Sequence, residues 1–225
     1  MSTPTADAWV PDAASERAES SRVSRARERR MSRFLRFTGW TLIVAGFLIV
    51  AFILYELLAT GLVTARYQQD LRADLAQDLA RPVPGAEPPP PVPGQAVGIL
   101  RIPEIGLDMA VVEGVSADDL KKGPGHYPGT PLPGSKGNVG IAGHRTTYAR
   151  PFWALDRLEA GDRIYVDTRR GRFIYRVEWI RVVTPDRVEV LHRTRSESLT
   201  LTTCHPRFSA AQRLVVRAVN VSGPG

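Results

Sequence analysis

Cys204 is the only cysteine among 225 residues, and four histidines accompany it. One cysteine excludes a disulfide framework and a Cys-rich zinc module. What remains for it is packing as a small hydrophobe, pairing with another molecule, or work as a nucleophile. Cys204 ends the strand-like run SLTLTTC, just before His205-Pro206. Proline cannot pair in a central strand, so the thiol is expected at a strand end, beside the loops where sites are built. Attack on a carbonyl needs the thiolate, and hence a nearby histidine or cation. His144 ends the apolar run NVGIAGH and precedes the polar RTTY, a second strand-end position. His126, in the Gly/Pro-rich GPGHYPG, is the runner-up. His205 adjoins the cysteine in sequence, which is poor geometry for a side-chain pair, and His192 in VLHRTR reads as a surface residue. Acyl transfer also needs positive charge where the tetrahedral oxyanion forms. Arg213 opens the last strand-like run, nine residues on, and can return antiparallel beside Cys204. Taken singly, a histidine is more often structural and an arginine a solvated charge. The combination is what carries weight.

Such groups act only if elements hold them together, and the rest of the chain indicates which. Residues 37–55, FTGWTLIVAGFLIVAFILY, carry no charge. As a helix they would span about 28 Å, close to the hydrocarbon thickness of a bilayer, with Trp40 and Tyr55 near the headgroup levels. Eight arginines against three glutamates occupy residues 16–36, while residues 56–70 hold one arginine and two acids. That asymmetry puts the N-terminus in the cytoplasm and everything after Tyr55 outside. A cleaved signal peptide and a buried core helix compete with this reading. The span is long and starts late for the first, and a nineteen-residue uncharged run is rare in the second. The expected organisation is a disordered, Arg-rich cytoplasmic preface over residues 1–36 and a transmembrane helix over 37–58. A juxtamembrane helix and proline-rich linker follow over 59–96, where seven of residues 81–94 are proline and favour an extended spacer. The plasma membrane bilayer is thus an expected partner, with residues 97–225 on its outer side. An unpaired thiol there has no partner in its own chain, which favours the nucleophile over the inert hydrophobe.

The formal charge is +7, of which residues 97–225 carry +6 and the preceding part +1. The excess lies on single arginines alternating with apolar residues, without a dense basic run, so no nucleic-acid partner is expected. Residues 97–225 show strand-like runs at 97–102, 107–112, 138–144, 163–168, 172–183, 198–204 and 213–221, rich in Val, Ile, Thr, Tyr and Phe. In FIYRVEWIRVV, strict alternation places Tyr175, Val177, Trp179 and Arg181 on one face and Ile174, Arg176, Glu178 and Ile180 on the other. Short helical stretches are expected at 116–121 and 151–158. Seven or eight short strands with few helices predict an all-β domain, a closed barrel in preference to a sandwich.

Taken together, these residues resemble the sortases, membrane-anchored cysteine transpeptidases of Gram-positive bacteria. Thr200-Leu201-Thr202-Thr203-Cys204 matches the family signature Thr-Leu-X-Thr-Cys, GNVGIAGHRTTY is similar to the catalytic-histidine segment, and Arg213 in AQRLVVRA matches the arginine on the strand after the cysteine. The resemblance covers residues 97 to 221. GHYPGTPLPGSKGNVGIAGHRTTYARPFWAL and TLTTCHPRFSAAQRLVV are most similar to the class E sortases of actinobacteria.

The resemblance implies an eight-stranded β-barrel with Cys204, His144 and Arg213 meeting at one end. It implies cleavage of an LPXTG-type sorting signal between Thr and Gly, with LAXTG associated with class E, and transfer of the acyl group to a cell-wall precursor amine. Cys204 would be the nucleophile, His144 the general acid and base, and Arg213 the stabiliser of the oxyanion or substrate backbone. Thr203, His126 and Tyr127 would line the substrate groove, and the chemistry requires no cofactor. His205 directly after the cysteine is a departure. A metal site built on that pair is disfavoured, since it lacks the three or four ligands zinc needs. Three rivals are weaker. An L,D-transpeptidase would carry a His-Gly before its cysteine, which TLTTC lacks. A catalytically inactive, membrane-tethered scaffold would have no need of the intact Cys/His/Arg set, and a nucleic-acid binder conflicts with topology and charge.

Overall fold

The computed structural model describes residues 13–80 and 89–222. The first twelve residues of the expected preface and part of the expected proline-rich spacer, 81–88, lie outside the described residues, as do 223–225. The chain divides into two compact units, Met1–Tyr55 and Glu56–Gly225.

The described part of the first unit is helical, within α1 (Ala13–Ala80). Residues 13–36 of the preface are continuous with this helix. Ala, Arg and Glu are good helix formers, and extending an existing helix is far easier than nucleating a new one. The helix contains a stretch long and apolar enough, by length and composition, to cross a membrane, and its apolar side chains, such as Phe37, Phe47 and Tyr55, are exposed.

In the second unit, the end of α1 is joined by eight strands: β1 (Ala96–Ile102), β2 (Leu107–Glu113), β3 (Gly125–His126), β4 (Asn138–Ala142), β5 (Arg163–Thr168), β6 (Gly171–Val183), β7 (Ser198–His205) and β8 (Gln212–Asn220). They close a barrel in the order β1-β2-β3-β4-β7-β8-β6-β5, so no sheet edge is left open along the ring. The β2–β3 and β4–β7 pairs are parallel and all others antiparallel. β3 is the strand that the sequence pattern does not reveal, because two residues inside a Gly/Pro-rich segment show no alternation. Helix α2 (Ala117–Leu120) falls where a short helix is expected, fixed by a reciprocal cap between Ser116 and Asp119. The helix expected at 151–158 contracts to a 3-10 turn at Leu155–Arg157.

The core fills the barrel. Leu199 and Leu201 of β7, Val216 and Ala218 of β8, and Val139 and Ile141 of β4 meet Leu100, Ile164, Tyr175 and Phe152 there, all but fully buried. Each such Leu or Ile contributes about 1.5–3 kcal/mol by burial. In β6 the strict alternation fails at one point. The register shifts between Val177, opposite Ala218, and Trp179, opposite Arg217, so two residues of β6 occupy the space of one. Tyr175 and Val177 face the core. Beyond this bulge the phase inverts: Ile180 packs against the core, and Trp179 and Arg181 turn outward.

The final turns of α1 belong to this unit. Leu71 and Leu75 pack on Ala96, Ala110 and Val112, while Thr64 donates to Lys121 O at 2.8 Å. Gln68 performs the exchange of a neighbouring strand. Its Nε2 donates to Ala110 O at 2.9 Å, and its Oε1 accepts from Ala110 N at 2.7 Å. β3 begins too late to pair that part of β2, and the side-chain amide satisfies the edge instead. Thr64, Gln68, Leu71 and Leu75 recur at helical spacing, one face of α1.

Candidate active site

β4 and β7 run parallel, ending their register at Ala142 opposite Thr202. Gly143 N continues the pairing by donating to Thr202 O at 3.1 Å. Side chains alternate along a strand, so Cys204 leaves the same face as Thr202, while His144 follows two residues past the end of β4. On the other side of β7, Cys204 lies directly opposite Arg213 in the antiparallel pair with β8. Directly opposite residues share a face. Cys204 and Arg213 therefore form a row across β7 and β8, which His144, two residues past the end of β4, continues on the other side of β7. That face is the outer one, because Leu199, Leu201, Leu214 and Val216, of opposite parity, fill the core.

Cys204, His144 and Arg213 are all partly exposed. Burial pushes the His144 imidazole below its ordinary value of 6.5, which keeps the ring neutral at pH 7. The ring lies 5.1 Å from that of Tyr148. Tyr148, Ala149 and Arg150 all have positive φ, between 51° and 59°, in a run without glycine. Three successive left-handed residues store strain, and such strain concentrates at functional loops. Phe152 N closes the loop by donating to His144 O at 3.1 Å. Gly143 permits this closure, since a Cβ there would stand 2.6 Å from the Phe152 ring. Arg213 donates to Ala210 O at 2.9 Å and Gln212 O at 3.0 Å, with no carboxylate partner among the described residues. Its charge stays available to an oxyanion.

The remaining candidates separate by face. Tyr127 lies on the outer face: its N donates to Gly140 O, its ring lies over Gly140, and its hydroxyl bonds Thr202 Oγ1 at 2.9 Å. His126 points inward. It sits opposite the core residue Ile141, is 2% exposed, and has Nδ1 2.6 Å from Glu113 Oε2. Its Nε2 is engaged by Thr130 Oγ1 at 3.0 Å and Pro131 O at 3.1 Å. Thr203 is also buried, donating from Oγ1 to Gly143 O at 2.7 Å. His126 and Thr203, both expected to line the groove, are thus placed behind it. Period two decides the matter, since Thr203 precedes an outward cysteine and His126 precedes an outward tyrosine.

Sequence reasoning missed a charged cluster at this end of the barrel. Arg145, next to His144 but turned inward, is 3% exposed and pairs with Asp156 at 2.9 Å. Arg207 shares that carboxylate at 2.9 Å, and Arg145 Nη1 lies 3.5 Å from His205 Nδ1. Burial pushes the Arg145 guanidinium below its ordinary value, opposed chiefly by Asp156. The available signal was the inward parity of residue 145.

Comparison with known proteins gives a consistent result. Residues 100–221 match the model of the sortase domain. The chain is 33% identical over 226 residues to sortase SrtE1 of Streptomyces coelicolor, covering 92% of this chain and 63% of that relative's length. Sortase SrtE2 of the same organism is 32% identical over 199 residues, 79% of this chain and 78% of the relative. Among solved structures, sortase E1 from S. coelicolor with a tripeptide in the active site superimposes with a TM-score of 0.55 at 34% identity, covering 59% of this chain and 92% of that one.

Proposed function

Because the chain belongs to the sortase family, we propose that it is a membrane-anchored transpeptidase. It cleaves an LPXTG/LAXTG-type sorting signal between Thr and Gly and passes the acyl group to a cell-wall amine. The observation that carries this reading is the row of Cys204 and Arg213, paired across β7 and β8, with His144 just past the end of the adjoining β4. The Cys204 thiol gives its proton to the neutral His144 ring, and Sγ attacks the Thr carbonyl carbon. Arg213 balances the charge that collects on the carbonyl oxygen. The tetrahedral adduct collapses, the Thr–Gly bond breaks, and His144 returns the proton to the leaving Gly nitrogen. A thioester remains on Cys204. An incoming amine loses a proton to His144, attacks the thioester carbon and releases the thiolate, which recovers the proton. No cofactor enters these steps.

Tyr127 contacts the substrate from the outer face. His126 and Thr203 act as positioning residues, the first by holding the 127–131 turn through Thr130, the second by tying the strand ends of His144 and Cys204 together. The apolar stretch of α1 anchors the protein in the plasma membrane with the Arg-rich end in the cytoplasm, leaving the barrel outside.

The test uses the detergent-solubilised full chain with internally quenched LAXTG and LPXTG peptides, with and without an amine acceptor. Cleavage at Thr–Gly, an amine-linked product, and loss of both in Cys204→Ala and His144→Ala are expected. Absence of cleavage, with Cys204 unreactive toward a thiol probe, would leave the inactive-scaffold reading in its place.

A further inference from the structure

A second concave site lies on the same outer face, one strand beyond the catalytic row. The segment joining β6 to β7 carries a 3-10 turn at Val188–Leu191 and borders a groove of about 560 Å³ with β6 and β8. Trp179, Arg181, Thr184, Arg187, Glu189 and Arg217 are its polar and aromatic lining. Three arginines face one acid, and Arg187 engages that acid, with its Nη1 2.8 Å from Glu189 Oε1.

Arg217 is the unusual member. It is 8% exposed, yet no carboxylate lies within salt-bridge distance of it among the described residues. Nη2 donates to Val190 O at 2.7 Å and Nη1 to Ser198 Oγ at 3.3 Å, while Nε has no partner. Glu178, exposed on β6, acts on Arg217 only through space. Burying an unpaired guanidinium is costly, and proteins commonly relieve it with a carboxylate. Arg181 likewise has no carboxylate within salt-bridge distance among the described residues. Its guanidinium lies over the Trp179 ring at 4.8 Å, and that of Arg217 lies at 5.4 Å from the same ring. Two guanidinium groups without a carboxylate partner among the described residues thus flank one indole beside an open groove. The groove's size suits a peptide side chain with its neighbours.

Its place relative to the thiol defines its use. Arg213 and Arg217 are four residues apart on β8 and share a face, a separation of about 13 Å. A short extended peptide covers that distance. The face on the other side of Cys204, over β4 and β7, presents Gly140, Tyr127 and Thr202, which are neutral. Resting on the transpeptidase reading above, we propose that the Arg181/Arg217 groove is an acceptor subsite. It binds a carboxylate carried by the peptide whose amine resolves the thioester, while the neutral face takes the sorting signal. A carboxylate there receives charge-assisted hydrogen bonds from a planar guanidinium.

The experiment compares acetyl-Ala-Glu-Lys-amide with acetyl-Ala-Gln-Lys-amide, which share the Lys amine and differ by one carboxylate. Binding to the full chain is followed by tryptophan emission, since Trp179 lines the groove. The Glu peptide is expected to bind about fivefold tighter at low salt, with the preference falling below about twofold in Arg181→Gln and Arg217→Gln. Arg181 is exposed, so its variant keeps the test sound if Arg217→Gln folds poorly. Equal binding of the two peptides, or a preference untouched by both variants, overturns the proposal. So does an arginine-dependent Glu preference found only when the same exchange is made at the X position of the sorting peptide. Selective binding without acyl transfer to the Lys amine would sink the transpeptidase reading and leave the subsite. Transfer that proceeds equally with both peptides and both variants would do the reverse.

Discussion

The two faces of β7 have opposite characters although their residues alternate along one strand. Leu199, Leu201 and Thr203 point into the barrel, where the leucines are fully buried and the threonine hydroxyl is spent on Gly143 O. Thr200, Thr202 and Cys204 point outward, where hydroxyls meet Asn138 Oδ1 at 2.6 Å and the Tyr127 hydroxyl at 2.9 Å. The inner face holds the strand in place by apolar burial. On the proposed mechanism the outer face carries the chemistry, and depends on the inner one for its precision.

Substitutions on the two faces therefore have different signatures. The largest effect on stability is expected for Leu201→Ala, which opens a cavity among tightly packed neighbours. It costs about 2–5 kcal/mol, read as a lower denaturant midpoint. Activity per folded molecule should change far less than stability does. If Leu201→Ala lowers turnover as steeply as folding, the faces are not separable.

Thr203→Val tests the link between them. Valine keeps the shape and loses the donor to Gly143 O, one residue before His144. We expect a loss of about 1–3 kcal/mol in stability. A drop in kcat of roughly tenfold, with KM little changed, should accompany it, because the spacing of His144 and Cys204 is no longer fixed. Rescue by Thr203→Ser, which restores the hydroxyl, separates positioning from packing. Failure of serine to restore kcat would assign Thr203 to packing alone.

Thr202→Val removes the outer-face bond to Tyr127. Both groups border the groove, so the stability loss is under about 1 kcal/mol, and the expected change is a severalfold rise in KM for the sorting peptide. A change in kcat alone would place Tyr127 away from the substrate.

The legibility of the molecule follows the same division. Strand ends marked by proline or by a switch from apolar to polar residues, as at Cys204 and His144, could be read, because local chain chemistry sets them. The barrel could be read from the spacing of alternating runs. What depends on tertiary contact was hidden. β3 is two residues long and owes its pairing to β2 and β4. The β6 bulge inverts Trp179 and Ile180 with no mark in FIYRVEWIRVV. Gln68 is an ordinary helix residue until it pairs Ala110. His126 was singled out by its residue type, yet its face is decided by the register with Ile141, which no local pattern records.

The smallest expected effect bears on the row itself. Burial holds the folded His144 below 6.5, so the unfolded chain takes up this proton first as pH falls. The associated stability is fully present above 6.5, declines through the window between 6.5 and the lower folded value, and levels off beneath it. Tyr148, whose ring lies 5.1 Å from the imidazole, is one of the groups that keep water from it. Replacing it with alanine should move the His144 midpoint, followed by NMR, upward toward 6.5. The acid limb of kcat/KM should shift in the same direction, since the ring must be neutral to receive the thiol proton. A wild-type midpoint at or above 6.5 that falls in Cys204→Ala would reverse the assignment. Thiolate pairing would then outweigh burial, and the resting site would be an ion pair in place of a neutral thiol and imidazole.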